Sequence, residues 1–520
     1  MIAPCSLPRL PLSAAAFLVA TALAATSRAQ TETAEPPATA SVTPQEPPPP
    51  VASGPLIQVR PGGLTAEQVA ERAVAASPTL AARRAEIDAA NAQIAKTTAQ
   101  FFPRVTLSAT YTRLSKAENS MGGAIVGAEN PGLITTGPCP EGVPDGTTCL
   151  VDSGQSPIGA RAFEFPTARN SYDLAAEVGI PLSDYVFTMP SAVGASRANA
   201  KANELGKQAA ARDVAHEARL AYHDWLRAVA ATSITESSLA RTNALLQDTK
   251  TAFELGAATR ADVLRVEALV SNTKLQLDRA ATMRQLTASR LAILMDEAPR
   301  DYAPGQAIPT APPPVPPTRS AAGERDELDR LIAEATSRRL ELSSLDAHAK
   351  ALRDAERASN ATRLPRLDGF GQLNHAKPNQ RFMLDTETWH TSWAVGLRLS
   401  YTINDTFING AQTRELKAQR AQLEANRTEL ERGIRLQVTD AYLEARRSRL
   451  AVATAQKAHE AAAEAYRVSR ELYRAGQATT TDLLAAENDL MQASLQKVDA
   501  SIALEVALLN LDHVVGRDAG

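Results

Sequence analysis

The spacing of apolar residues changes in the same way twice along the chain. Residues 64–101 and 328–364 show a helical spacing, and both stretches end beside a proline, Pro103 or Pro365, because the residue before proline is disfavoured in a helix. After each proline, apolar residues occupy every second position, which is typical of a strand with one apolar face. The pattern therefore predicts two copies of a helix followed by strands.

Four alternating segments of about ten residues are predicted to be strands. The segment after Pro365 is weaker, because Gly369 and Gly371 occupy its apolar face. The apolar positions of the other three are Val105, Leu107, Ala109 and Tyr111, then Tyr172, Leu174, Ala176, Val178, Ile180 and Leu182, then Trp393, Val395, Leu397, Leu399 and Tyr401.

The length of these segments suits tilted strands that cross a membrane. The aromatic residues gathered around them (Trp389, Trp393, Tyr401, Tyr111 and Tyr172) are typical of a membrane interface. A strand packed on a soluble core would give the same alternation, and this alternative stays open.

Each pair of strands is followed by a helical pattern over residues 190–253 or 410–473. At 1.5 Å per residue each helix would be about 95 Å long, which exceeds the depth of a globular core. Leucines recur at every seventh position at 416, 423 and 430, and Ile434, Val438, Ala441 and Ala445 continue with a spacing of three or four. This spacing is typical of coiled-coil packing.

The two halves also repeat each other in sequence at one constant offset, since 476 − 256 and 482 − 262 are equal. The matching positions are Ala221-Tyr222 with Ala441-Tyr442, Phe253 with Tyr473, Gly256 with Gly476, Thr259 with Thr479, and Asp262 with Asp482. Such an echo predicts two tandem repeats. We place them at residues 61–298 and 324–516, each a helix, two strands and a long helical hairpin, with a proline-rich connector at 299–323.

The repeated turn has a structural explanation. Its glycine is expected to end the long helix in the left-handed conformation, and its threonine to cap the next helix. Asp262 and Asp482 then fall at the third helical position, close to the capping-box pattern. The functional alternative is that these carboxylates also line an opening at the end of a helical bundle.

The N-terminal residues 1–29 have the features of an export signal peptide. Arg9 precedes an apolar run at 10–23, and Ser27-Arg28-Ala29 offers a small-x-small cleavage site; an ordinary buried helix is the alternative. Residues 30–60 are proline-rich and predicted to be a disordered tether. No later run approaches the ~20 apolar residues of a membrane helix, so any membrane part must be a barrel.

The first repeat is longer than the second, and most of its extra length lies within 115–169. Cys139 and Cys149 lie in this stretch. In an exported protein the pair predicts a disulfide. Two free thiols or a metal pair are the alternatives, and the lack of a nearby histidine disfavours a metal.

The remaining composition predicts neither an enzyme nor a cofactor site. The net charge of −3 gives no basic footprint for nucleic acid. His216 and His223 share a helix face but lack a cysteine or a carboxylate cluster, and the 7 methionines form no cluster. We find no phosphate-binding glycine loop and no nucleophile motif.

Taken in order, these features resemble the TolC family of outer-membrane efflux proteins, over residues 64–516. The marks are the duplicated Gly-x-x-Thr-x-x-Asp turns, the Ala-Tyr pairs, Phe-Pro-x-Val-x-Leu at 102–107, and Val-Gly-Ile-Pro-Leu at 178–182 before a long helix. The resemblance implies a mainly α fold with a small membrane β part. Three chains would form a homotrimer with a twelve-stranded β-barrel in outer-membrane lipid and an α-barrel tunnel across the periplasm.

The resemblance also implies a function without chemistry. The channel would give passive exit to small molecules or proteins delivered by an inner-membrane transporter and a periplasmic adaptor. Four strands per chain are too few to close a barrel, which independently requires oligomers if the strands span the membrane. The alternative is a periplasmic coiled-coil scaffold or adaptor without a pore.

By matched position, the resemblance assigns roles to the repeated turns. Gly256, Thr259, Gly476 and Thr479 would face the adaptor at the periplasmic tip, and Asp262, Tyr473 and Asp482 are candidate gate residues. The chain departs from the family pattern at Ala478, Ala485 and Arg398, where some members carry Arg, Asp and Pro. The gate is therefore expected to use other contacts, such as Arg260 or Arg474.

Overall fold

The computed structural model describes residues 59–517 except 116–119, 131, 145, 165–167, 309–320 and 383–386. The predicted signal peptide at 1–29 lies outside the described residues, as do nearly all of the tether at 30–60 and half of the connector at 299–323. Within the described part, no helix combines the length and apolarity needed to cross a membrane.

Both halves contain two helices, two strands of the main sheet and a long helical hairpin, and the first half adds four short strands and the short helix α3. The first half holds α1 (Ala66–Ala76), α2 (Pro78–Ala99), β1 (Arg104–Arg113), β2 (Ser120–Gly127), β3 (Thr135–Pro138), β4 (Thr148–Val151), β5 (Gly159–Glu164), β6 (Asn170–Ile180), α3 (Leu182–Phe187), α4 (Met189–Glu254) and α5 (Arg260–Leu294). The second half holds α6 (Ala321–Arg338), α7 (Leu340–Ala361), β7 (Arg366–Lys377), β8 (His390–Ser400), α8 (Ile403–Arg474) and α9 (Thr480–Val515).

Each half begins with two helices, and the prediction of one continuous helix was wrong in both. Ser77 is extended (φ −64°, ψ 118°), and its hydroxyl accepts from the backbone N–H of Leu80. Pro78 follows as the first residue of α2, where its missing N–H costs nothing. Arg339 breaks the second half in the same way (φ −68°, ψ 116°). A single extended residue changes the spacing of the apolar residues very little, so the break between the two helices is not visible in the sequence pattern.

The long helices pack side by side in the order α5, α4, α9, α8. Buried Trp225 and Tyr222 on α4 meet Val69 of α1 and Ile502 of α9 in the largest apolar cluster. Ile434 and Val438 of α8 are fully buried in another cluster. The predicted coiled-coil-like spacing is thus confirmed as helix packing.

The four predicted strands form one antiparallel sheet in the order β1-β6-β7-β8. The weakly predicted strand, β7, runs for 12 residues in the middle of this sheet. It pairs with β6 on one side and β8 on the other, so ladder hydrogen bonds on both sides compensate for its glycines.

The extra length of the first half forms two further β ladders that the sequence pattern did not predict. β2 pairs with β5 and β3 with β4, so the chain between β1 and β6 continues as hairpins. Their strands are short and rich in glycine and threonine, and they lack a run of alternating apolar residues. Cys139 directly follows β3, and Cys149 lies within β4 opposite Gly137. The two form a disulfide with their Cα atoms 5.1 Å apart.

We expect the mature protein to carry no free thiol. Denatured protein treated with iodoacetamide should gain no adduct without reductant and two adducts after reduction, since only two cysteines follow the predicted signal peptide. A Cys149→Ser variant is the control, because its remaining thiol should be labelled without reductant. Two adducts on the unreduced wild type would contradict the disulfide.

Candidate functional site

One face of the four-stranded sheet is apolar across all four strands. Leu107 of β1 pairs with Ala176 of β6, which pairs with Leu373 of β7, which pairs with Trp393 of β8. The next row is Val105, Val178, Gly371 and Val395. Leu107 is 77% exposed and Val395 76% exposed, so this chain alone leaves the apolar face uncovered. A face of this size marks a membrane or partner surface.

The opposite face of the same sheet is polar. Asn374 donates from Nδ2 to Asp173 across the β6–β7 pair at 2.7 Å. The sheet therefore has one apolar and one polar face. The polar residues that alternate with the apolar set in the strand register are Thr106, Ser108, Thr110, Asp173, Glu177, Gln372, Asn374, Ser392 and Arg398.

The two edges of this sheet are open. Among the described residues, β1 pairs only with β6, and β8 pairs only with β7. Each edge strand therefore presents unpaired N–H and C=O groups beside the apolar face, and these groups are costly to leave unpaired outside water.

Three of the predicted interfacial aromatics meet at the end of the sheet far from the long helices. The rings of Tyr111 and Tyr172 lie 5.1 Å apart, and those of Tyr172 and Trp389 lie 5.9 Å apart. Tyr401 follows β8 at the opposite end, and Trp393 lies between the two ends. Aromatic residues thus lie at both ends of the apolar face.

The repeated turns join α4 to α5 and α8 to α9. Gly256 (φ +76°) and Gly476 (φ +71°) adopt the left-handed conformation. The backbone N–H of Ala257 donates to Ala252, and that of Gln477 donates to Leu472, which satisfies a carbonyl at each helix end. The glycines are needed for φ and not for space, since a Cβ on either would meet nothing within 4 Å.

Both predicted capping boxes are present. Asp262 accepts from the N–H and hydroxyl of Thr259 at 3.1 and 2.6 Å, and the Asp482 carboxylate accepts in the same way from Thr479. The threonine side-chain hydrogen bond lowers the pKa of each of these carboxyl groups. Both side chains are therefore charged and held at a helix start.

The structure does not bring the three candidate gate residues together through hydrogen bonds. Tyr473 Oη lies 3.3 Å from Thr249 Oγ1 of α4, so it ties the second hairpin to the first. Arg260 begins α5 and Arg474 ends α8. In the described part of the chain, neither arginine forms an ion pair with Asp262 or Asp482.

A buried carboxylate near the turns was missed by the sequence analysis. Glu487 of α9 is 2% exposed. It accepts from the Ser238 hydroxyl at 2.9 Å and from Arg241 Nε at 3.0 Å, both on α4. Its position among Leu483, Ala486 and Leu490 on the apolar face of α9 was the available signal. This contact joins the two hairpins.

The two histidines on α4 do not form a metal site. His216 stacks on His513 with ring centres 4.0 Å apart and bonds Asn510. Burial lowers the pKa of His223 to about 4, so its ring is neutral near pH 7. Among the residues the structure describes, no group of three or more potential ligands could hold a metal ion.

A sheet with one apolar and one polar face, joined to helices of 66 and 72 residues, is the architecture of outer-membrane channels with a periplasmic helical tunnel. The chain belongs to the family described as outer membrane efflux protein, whose model matches residues 69–295 and 331–517. This match confirms the TolC-family resemblance and the predicted mainly α fold with two repeats.

Solved structures share the fold at low identity. The outer-membrane channel OprN is 19% identical with a TM-score of 0.63, covering 87% of this chain and 89% of that one. VceC, an outer membrane protein from Vibrio cholerae, is 16% identical with a TM-score of 0.63, covering 87% and 96%. CusC is 13% identical with a TM-score of 0.65, covering 87% and 92%. No curated protein matches the chain in sequence.

Proposed function

We propose that this protein is the outer-membrane exit duct of an export system with three components. An inner-membrane transporter and a periplasmic adaptor would deliver small molecules or proteins, which then pass through the duct without chemistry. The observation that carries the proposal is the sheet, with its apolar face, its polar face and its two open edges. A scaffold without a pore needs no sheet of this kind.

The open edges and two exposed helix faces support a homotrimer. Leu275, Leu286 and Ile293 are exposed on α5, at one end of the helix row, and Leu436, Leu443 and Leu450 are exposed on α8, at the other end. Two different surfaces that meet head to tail generate a closed ring. Edge β1 would then pair with β8 of the next chain, and the family resemblance sets the number of copies at three.

The repeated turns are proposed as the adaptor-facing tip, through Gly256, Thr259, Gly476 and Thr479. Their capped helices provide rigid, exposed ends, which suits docking. Asp262, Tyr473 and Asp482 stay candidates for the gate. The Tyr473–Thr249 contact between the hairpins supports a role for Tyr473 in holding the tip closed.

Disulfide cross-linking between chains tests the ring. Leu286 follows the Gly256 turn on α5 by nearly the same number of positions as Leu450 precedes the Gly476 turn on α8, so both lie at a similar distance from the tip. A Leu286→Cys/Leu450→Cys variant in outer membranes should give covalent dimers and trimers on oxidation. Each single variant should stay monomeric on a denaturing gel.

The mass of the assembly provides a second test of the ring. Light scattering of the detergent-extracted wild type, corrected for bound detergent, should give the mass of three chains. A water-soluble monomer or dimer in the periplasm would favour the scaffold.

A further inference from the structure

An aromatic and a cationic side chain lie together on the polar face of the sheet, at the end near the long helices. Phe370 of β7 pairs in register with Gly396 of β8. A Cβ on Gly396 would come within 2.8 Å of the Phe370 ring, so the ring lies across the position that a side chain would fill. The guanidinium carbon of Arg398 lies 5.0 Å from the centre of this ring. We call this pair the Phe370–Arg398 shelf.

Within the described part of the chain the shelf guanidinium forms no direct ion pair, although Asp368 lies opposite it in register. Arg398 is exposed, and no described carboxylate forms an ion pair with its guanidinium. Its partner in register, Asp368, instead accepts from Arg366 Nε at 3.0 Å. Arg366 also pairs with Asp184 at 3.3 Å. Arg398 therefore keeps its donors for a ligand.

The first half has no arginine at the position that matches Arg398. Past the strands the two halves keep one offset, since 396 − 179 and 398 − 181 are equal, so Gly396 matches Gly179 and Arg398 matches Pro181. Strand β6 ends just before Pro181, whereas β8 continues through Arg398 to Ser400. The second half thus carries a cation inside the strand where the first half ends its strand.

We propose that the Phe370–Arg398 shelf is an anion-binding subsite that selects cargo bearing a carboxylate or sulfonate group. This inference rests on the proposed duct, in which the polar face lines the pore. The planar guanidinium fork matches these groups through two parallel N–H donors. Phe370 acts as a positioning residue, because the cation–π contact holds the guanidinium flat on the wall. The ring of three chains would carry three such shelves at one level.

Arg104 provides a matched control. Arg104 of β1 lies in the same row as Phe370, since it pairs with Gly179, which pairs with Phe370. It is exposed on the polar face. Arg104→Gln therefore removes one positive charge at the same level of the sheet without touching the aromatic contact.

Binding of benzenesulfonate tests the shelf without depending on an open gate. Saturation-transfer NMR on the detergent-solubilised full-length protein should show binding to the wild type. We expect the Kd to rise by about tenfold in Arg398→Gln, because a charge-assisted hydrogen-bond pair is lost. It should rise by about threefold in Phe370→Leu, where only the orientation of the charge is lost. Arg104→Gln should leave the Kd for benzenesulfonate unchanged. The cationic probe benzyltrimethylammonium should bind no more weakly to Arg398→Gln or Phe370→Leu than to the wild type.

Planar-bilayer recordings distinguish a failure of the shelf proposal from a failure of the duct proposal. In a KCl gradient, Arg398→Gln and Arg104→Gln should both shift the reversal potential toward cation selectivity, and Phe370→Leu should not. Unchanged sulfonate binding in Arg398→Gln, or equal losses in Arg398→Gln and Arg104→Gln, would overturn the shelf even if the wild type conducts. A wild type that binds the sulfonate but has the mass of a single chain in detergent would contradict the duct instead.

Discussion

Replacing Glu487 with alanine is expected to speed amide hydrogen exchange near the turns by about 100-fold. The Glu487 carboxylate is buried and accepts from Ser238 and Arg241 of the other hairpin. Its removal leaves the Arg241 guanidinium, only 22% exposed, without its partner. Breaking a buried pair on one side costs about 3 kcal/mol, and each 1.4 kcal/mol is a factor of ten in an opening equilibrium. Mass spectrometry of exchanging peptides from α4 and α9 measures the change.

Two controls separate the buried pair from a general loss of charge. Glu464 of α8 forms an ion pair with Arg467, but both side chains are more than half exposed. Glu464→Ala should change exchange by less than about fivefold, because a solvent-exposed ion pair contributes little to stability. Arg241→Leu combined with Glu487→Leu should recover most of the protection, since an apolar pair leaves no unpaired charge. Wild-type exchange of α9 in Glu487→Ala would contradict the prediction.

Lysine at position 107 is expected to abolish assembly in the outer membrane, whereas lysine at position 108 should be tolerated. Leu107 belongs to the apolar face and Ser108 to the polar face of the same strand. A lysine facing lipid at mid-membrane costs about 2–4 kcal/mol per chain, and a ring multiplies this cost by the number of chains. The amount of folded oligomer in outer-membrane fractions measures assembly.

The same test applies to the other edge strand. Val395→Lys should fail and Ala394→Lys should assemble, because these neighbours on β8 also point to opposite faces. Full assembly of both Leu107→Lys and Val395→Lys would show that the apolar face does not meet lipid. Selective failure of Ser108→Lys and Ala394→Lys would reverse the assignment of the two faces.

The parts of the fold that were predicted are those that local chemistry determines. The turns at Gly256 and Gly476 combine a left-handed glycine with a threonine cap, and both follow from residues within one helical turn. The faces of β1, β6 and β8 follow from a period of two. These features need no knowledge of distant residues.

The parts that were missed depend on distant partners or on single residues. Strand β7 looked weak because of Gly369 and Gly371, yet it pairs with β6 on one side and with β8 on the other, and neither partner can be read from its own residues. The ladders between β1 and β6 depend on pairing between segments that are distant in sequence, as when Gly127 of β2 meets Gly159 of β5. The burial of Glu487 depends on Arg241 of α4, which is distant from it in sequence.

The segment between β1 and β6 leaves the sheet and returns to it at neighbouring positions. Leu114 donates its backbone N–H to the Arg169 carbonyl at 2.8 Å, immediately beyond the Arg113–Asn170 pair. The pairing of β1 with β6 is therefore complete before the intervening segment begins. Doubling the length of that segment would cost only about 0.6 kcal/mol of loop-closure entropy. We therefore expect the four-stranded sheet to tolerate shortening of residues 115–168 or their replacement by a foreign epitope.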